Sequence, residues 1–217
     1  CLHLLADIPA ARLFDETLKL FMAGFAAPTI EHLAKHKLLE PLFPEAIGAM
    51  NEPSSRSLIL KAMANTDARI ARGKPVTPAF LLGALLWPAV AAKGRDIASA
   101  GAHEGSPINA ASQQVLTITL QRVSVPKRFS IPMREIWELQ PRLEKCSSKR
   151  VKSVLSQRRF RAAFDLLLLR SESSEELKST VSFWEEQQQL FPDVVGSLPA
   201  TESPQRTRRL RRRKRSP

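Results

Sequence analysis

Apolar side chains recur along this chain at spacings of three and four, the pattern of α-helices that bury one face. Leu13, Phe14, Leu18, Phe21 and Met22 fall on one side of a first helix, and Ile30, His32 and Leu33 open a second after Pro28. A long helix is predicted from Ser54 to Arg72, where Gly73 and then Pro75 supply a C-terminal cap and a breaker. Further helices fit 77–93, 107–121, 130–140, 141–156, 158–171 and 174–190. Ser173 and Glu176 have capping-box spacing at the start of the last. Only Val115 to Val125 leans toward β structure, and a lone strand would have no partner, so the expected fold class is all-α.

Val76 to Ala92 is the most apolar stretch and approaches the length of a short membrane span. Thr77-Pro78 reads as a helix start, however, and no second span accompanies it. A buried core helix kinked near Pro88 is therefore expected, with no membrane contact. From Pro192 onward Pro, Ser, Thr and Arg replace large apolar residues. Too little can be buried there to offset the entropy of ordering, so residues 192–217 are expected to be disordered.

The 217 residues and 43% hydrophobic content suffice for one large domain or two small ones. A net charge of +12 points to a polyanionic partner, RNA, DNA or an anionic membrane, without choosing among them. The distribution of charge is more informative. Residues 1–121 carry 11 basic and 10 acidic side chains, residues 122–170 carry 13 and 4, and residues 171–205 sum to −6. The last 12 residues hold eight arginines and lysines and no acid. Cys1 and Cys146 make neither a disulfide framework nor a zinc motif, which indicates a cytoplasmic protein. A first residue other than methionine, with no signal-peptide pattern after it, suggests a piece of a longer chain.

No Walker loop, dinucleotide-binding glycine motif or nucleophile elbow is present, and the acids of the basic block are scattered singly. No catalytic and no metal-binding residue is therefore assigned. His32 and His36 can share a helix face, but a metal site needs a further ligand, for which Glu31 and Glu40 are the candidates; a structural pair is the plainer reading. Arg12 and Glu16 read as a helix-surface ion pair worth about 0.3 to 0.5 kcal/mol. Lys127 and Arg128 are expected in the turn before Ser130-Ile131-Pro132, with Arg134 in the first turns of the helix that follows. Cations there oppose the helix dipole unless an anion is near, so a bound phosphate or a solvated basic turn accounts for them.

Farther along, Phe160, Ala163, Phe164, Leu167 and Leu168 make an apolar stripe with Arg158, Arg161 and Asp165 opposite. Arg161 and Asp165 can pair, leaving Arg158 and Arg159 as the freer phosphate ligands. Phe129, Trp137, Phe160 and Phe164 match the core period, with base stacking on them the lesser alternative. The tail cations Arg206, Arg208, Arg209, Arg211, Arg212, Arg213, Lys214 and Arg215 lack a helical apolar stripe. They fit diffuse phosphate contact better than a membrane helix.

Four runs, with the arginine-rich end, together resemble the bacterial poly(A) polymerases. They are Leu4-Leu-Ala-Asp-Ile-Pro-Ala-Ala-Arg-Leu-Phe-Asp-Glu16, Ala64-Asn-Thr-Asp-Ala-Arg69, Val125-Pro-Lys-Arg-Phe-Ser-Ile-Pro-Met-Arg-Glu-Ile-Trp-Glu-Leu139 and Arg159-Phe-Arg-Ala-Ala-Phe-Asp-Leu-Leu-Leu-Leu-Arg170. The resemblance covers the chain from near its start to about Arg170, the tail agreeing only in composition. It implies a class II nucleotidyltransferase, akin to the enzymes that add CCA to tRNA. In such enzymes a mixed α/β head transfers AMP from ATP to an RNA 3′ hydroxyl with Mg²⁺, and a helical neck, body and tail follow. The head's Gly-Ser and Asp-x-Asp elements and the neck's Glu-Asp-x-x-Arg element have no counterpart here, so ATP and Mg²⁺ are expected in a head outside this sequence.

The resemblance divides the chain into the end of a neck (1–53), a helical body (54–121), a basic helical RNA-binding region (122–191) and a disordered tail (192–217). Arg12 and Glu16 resemble a late neck motif that braces the nucleotide pocket. The basic body resembles the region that grips RNA 3′ ends, largely without reading sequence. Two rivals remain: the body of a CCA-adding tRNA nucleotidyltransferase, which shares this plan, and a free-standing helical RNA-binding adaptor with no enzymatic role.

Overall fold

Proline punctuates this chain. Pro44, Pro53, Pro78 and Pro107 each open a helix, where a missing N–H has no intrahelical partner to lose and the fixed φ suits the first turn. The computed structural model describes residues 2–101 and 105–197, which form eleven α-helices and no strand. In order these are α1 (Ala10–Phe21), α2 (Ala26–Lys35), α3 (Leu39–Leu42), α4 (Pro44–Asn51), α5 (Pro53–Ala71), α6 (Pro78–Ser99), α7 (Pro107–Arg122), α8 (Lys127–Glu144), α9 (Val151–Leu155), α10 (Phe160–Ser171) and α11 (Glu175–Leu190). Short 3-10 turns occupy Leu2–Asp7, Ser148–Arg150 and Pro192–Val194. The fold is all-α, as the periodicity indicates.

Helix α6 is the axis of the packing, with α4, α5, α7 and α8 all resting against it. Its buried residues run from Ala79 to Gly94, and a helix apolar all round needs cover on every side. That accounts for the apolar run from Val76. No helix among the described residues is long and apolar enough to cross a membrane. Pro88 lies inside α6, which continues past the expected end at 93 to Ser99. The buried Leu85, Leu86, Trp87 and Val90 around it offset an interior-proline cost of ~3 kcal/mol. α7 approaches so closely at Gly94 that a Cβ there would stand 2.7 Å from Ile108 Cδ1.

Buried residues from Phe14 to Trp184 form one hydrophobic cluster, and polar bonds lock its layers together. Trp137 Nε1 donates to Gly83 O at 2.9 Å, joining α8 to α6. Trp184 Nε1 donates to Leu143 O at 2.8 Å, a last-turn carbonyl of α8, and so ties α11 to the end of that helix. Gln140, fully buried, donates to Ala163 O at 2.9 Å and accepts from Arg170 Nη1 at 2.8 Å. Arg170 also pairs with Glu144 and lies 4.7 Å from the centroid of Trp87. A satisfied network of this kind fixes the relative positions of α6, α8 and α10.

Several expected boundaries differ. Lys127 and Arg128 are not in a turn; they begin α8, which runs to Glu144 through Pro132 and Pro141. The expected helices 130–140 and 141–156 are instead α8 and the short α9, separated where Cys146 takes a left-handed φ of 39°. Burial of the Met133, Ile136, Trp137, Leu139 and Leu143 face outweighs the two prolines, because packing contributes more to helix stability than propensity does. Burial of Val115, Leu116 and Thr119 likewise makes the β-leaning stretch helical as far as Arg122. No capping box forms at Ser173 and Glu176: Ser174 is the N-cap of α11 and makes no side-chain cap bond. Within the expected disordered tail Pro192–Val194 form a 3-10 turn, whereas residues 198–217 lie outside the described residues.

Glu52 caps α5, its carboxylate accepting from Ser54 N at 3.0 Å and Ser55 N at 2.6 Å. Bonds from Ser55 and Ser54, through side chain and backbone, hold its carboxyl down from 4.5 to about 2. Because the folded value is the depressed one, the cap contributes fully above pH 4.5 and is lost as pH falls toward 2. Glu52→Ala is expected to lack this acid-sensitive component. Thermal midpoints of the two proteins should differ at neutral pH and converge as the pH falls through that window.

Candidate nucleic-acid interface

At 3.6 residues per turn, the buried face of α8 leaves an outward arc of roughly 120°. That arc carries Lys127, Arg128, Ile131, Arg134, Glu135, Glu138, Arg142 and, just past the helix end, Lys145. At 1.5 Å per residue the ridge is about 27 Å long. Lys127, Arg128, Arg142 and Lys145 are exposed and enter no ion pair among the described residues. Arg134 is half-buried; its Nη2 donates to Asn109 Oδ1 at 2.8 Å, Glu138 stands 3.7 Å away, and its buried Nε has no partner. Arg159, in the turn before α10, donates from Nε to Glu135 at 3.0 Å, with the exposed Arg158 beside it. The structure thus gathers Lys127, Arg128, Arg134 and Arg159 along one side of α8.

The first turn of α8 combines two unpaired cations with the positive end of the helix dipole. Pro126 is its N-cap and supplies no side-chain bond, so the leading N–H groups lack an intrahelical acceptor. Such an end favours an anion. The Arg128 guanidinium is held 4.9 Å over Phe129, which packs 5.6 Å from Phe14. Trp137, Phe160 and Phe164 are buried and present no face to a base. Arg161 and Asp165 form no salt bridge; crowding by protein pushes the Asp165 carboxyl up from its ordinary value, against the pull of Arg69 and Arg161.

The basic surface continues beyond α8 with Lys149, Arg150 and Lys152, all exposed. Lys152 lies 4.9 Å over the Phe191 ring, and Gly196 N donates to Leu155 O at 2.8 Å. The chain is therefore fastened to α9 just before the arginine-rich end, whose cations Arg206 to Arg215 lie outside the described residues. Arg142, Lys145, Lys149, Arg150 and Lys152 were not among the residues singled out in the sequence. Continuing the α8 period through Pro141 would have found the first two.

On α1 the expected pair does not form: Glu16 bonds Lys19 at 2.9 Å instead of Arg12. Lys19 is the nearer rival at i, i+3, and glutamate N-terminal to lysine is the favourable order. Arg12 and Glu16 still border one shallow depression with Asp15 and Pro78. His32 and His36 stand with parallel rings on α2, but Glu31 is taken by Arg56 at 3.1 Å. Among the described residues no three His, Cys, Asp or Glu side chains come together as a metal site. Asp67, unassigned in the sequence, caps α2 from α5; its 41-residue separation from Ala26 left no local signal.

Comparison with known proteins accords with this distribution of charge. Residues 100–217 match the family described as "Polymerase A arginine-rich C-terminus", and residues 1–50 match one described as "Probable RNA and SrmB- binding site of polymerase A". Poly(A) polymerase I of Escherichia coli O6:H1 is 38% identical over 224 residues, which cover 99% of this chain and 48% of that protein. The protein of the same name from Salmonella typhi is 36% identical over 224 residues, covering 99% and 48%. That from Haemophilus influenzae is 33% identical over 190 residues, covering 85% and 42%. The chain spans about half the length of the curated relatives it matches.

Proposed function

This chain belongs to the polymerase A arginine-rich C-terminus family, and on that premise we propose that it is the RNA-holding helical part of a poly(A) polymerase, an enzyme adding AMP from ATP to RNA 3′ ends. The α8 ridge carries the reading: four cations aligned along α8 and its C-cap, unpaired among the described residues, are continued by Lys149, Arg150 and Lys152 toward a tail with eight more. Cations on a helix face contact phosphates and leave bases unread, which suits a protein that accepts many RNA ends. The poly(A) name carried by the matched relatives favours this over CCA addition and over a free-standing adaptor.

ATP and Mg²⁺ belong, in this reading, to residues outside the chain, and no step of the transfer is placed on its side chains. The role of Arg12 and Glu16 is to support that site from the α1 surface. The chain alone is expected to incorporate no AMP when given ATP, Mg²⁺ and an RNA primer; labelled AMP on the primer would overturn this. Single-stranded RNAs of unrelated sequence are expected to bind within a few-fold of one another in fluorescence anisotropy. A strong preference for one sequence would contradict a backbone grip.

A further inference from the structure

Phe25 is 67% exposed, more than any other large apolar residue described. It stands at the N-cap of α2, a position that favours Ser, Thr, Asp or Asn. Asp67 performs the capping instead, its carboxylate accepting from Ala26 N at 2.6 Å and Ala27 N at 3.0 Å. Phe25 therefore serves neither the cap nor the core. Positions 25, 29, 32 and 36 share one face of a 3.6-residue helix, and Phe25, Thr29, His32 and His36 border a groove of about 420 Å³ lined beneath by Leu33 and Leu38. The two imidazoles lie parallel, 4° apart, with centroids separated by 6.1 Å. Lys35 and Lys37 are exposed beside them.

From this arrangement we propose that the α1–α2 corner is a stacking subsite for one unpaired RNA base, with Phe25 as its platform. The proposal rests on the RNA-holding function above and gives it a second contact, of a different kind, away from α8. A flat ring on a flexible, negatively charged backbone suits an exposed aromatic at one end of α2 with lysines at the other end of the same helix. Stacking tolerates any base, because every base has a π-face. A base inside a duplex already has its faces covered, so the subsite selects single strands. The family description matched to residues 1–50 includes RNA among its ligands. Lys35 and Lys37 attract the strand, while the ring holds the base.

The test uses the full chain with a short single-stranded RNA carrying the fluorescent base 2-aminopurine, and with a duplex of the same length. Binding to the intact protein is expected to quench the fluorophore. Phe25→Ala is expected to weaken single-strand binding about 5- to 150-fold, the effect of one lost stack, with the salt slope unchanged because no phosphate contact is removed. Phe25→Tyr is expected to retain affinity, duplex binding to be unaffected, and the thermal midpoint to stay put. Unchanged single-strand affinity in Phe25→Ala, or equal losses for single strand and duplex, would overturn the subsite, and the former would leave the groove to an apolar protein side chain. If removing the α8 cations weakens binding while Phe25→Ala does not, the subsite alone fails. If neither change matters, the RNA-holding function fails with it.

Discussion

Trp137→Ala is expected to cost about 3–5 kcal/mol of folding stability, lowering the thermal midpoint by roughly 6–20 °C for a domain of this size. The indole is fully buried where α8 crosses α6, and its Nε1 bonds Gly83 O at 2.9 Å. Truncation opens a cavity among Met133, Gly83 and their neighbours that surrounding helices cannot close, since α6 is packed on all sides. Trp137→Phe separates the two contributions. It keeps most of the buried volume and loses the hydrogen bond, so its cost should be about 0.5–1.5 kcal/mol. Thermal unfolding followed by circular dichroism measures both. A small effect of Trp137→Ala would mean that α8 does not depend on this contact for its position.

Replacing Lys127, Arg128, Arg142 and Lys145 together with glutamine is expected to lower single-strand RNA affinity on the order of 100- to 1,000-fold at about 50 mM salt, with the loss vanishing toward 1 M. These cations are exposed and pair with no carboxylate among the described residues, so each is free to displace a counterion from a phosphate. Arg134 and Arg159 should matter less per residue. Glu138 lies 3.7 Å from Arg134, and Glu135 takes a bond from Arg159 at 3.0 Å. Arg159→Gln would in addition release Glu135 as an uncompensated negative charge on the ridge. Anisotropy titrations at low and high salt distinguish the two groups. Equal losses at both salts would indicate damage to the fold instead of lost phosphate contacts.

The all-α fold was legible because helical spacing persists through most of the chain, and Thr77-Pro78 marks the start of α6 by proline's own geometry. Interior prolines were the misleading ones. Pro132 and Pro141 argue locally for breaks, yet α8 persists because the Trp137 and Trp184 contacts hold it from both sides, and no local pattern reveals contacts made 54 and 41 residues away. The same limit hid Asp67 as the cap of α2. Lys127 and Arg128 were recognisable as phosphate candidates from the charge block. Their neighbours Arg142 and Lys145 became visible only once α8 was continuous. The pairing of Glu16 with Lys19 turned on a choice between two cations on the same helix face, which spacing alone leaves open.

Whether RNA is held through the α8 ridge and the arginine-rich tail is read from the salt dependence of single-strand binding. Eight cations occupy the last 12 residues. If about half engage phosphates, deleting residues 206–217 should flatten the slope of log K against log salt by about 3, at roughly 0.7 per contact. Neutralising the four ridge cations should remove about 3 more. Folding should be unaffected by either change. The intact chain should show a steep slope, each variant a shallower one, and the combined variant the shallowest; identical slopes for all four proteins, each still folded, would rule out this mode of RNA binding.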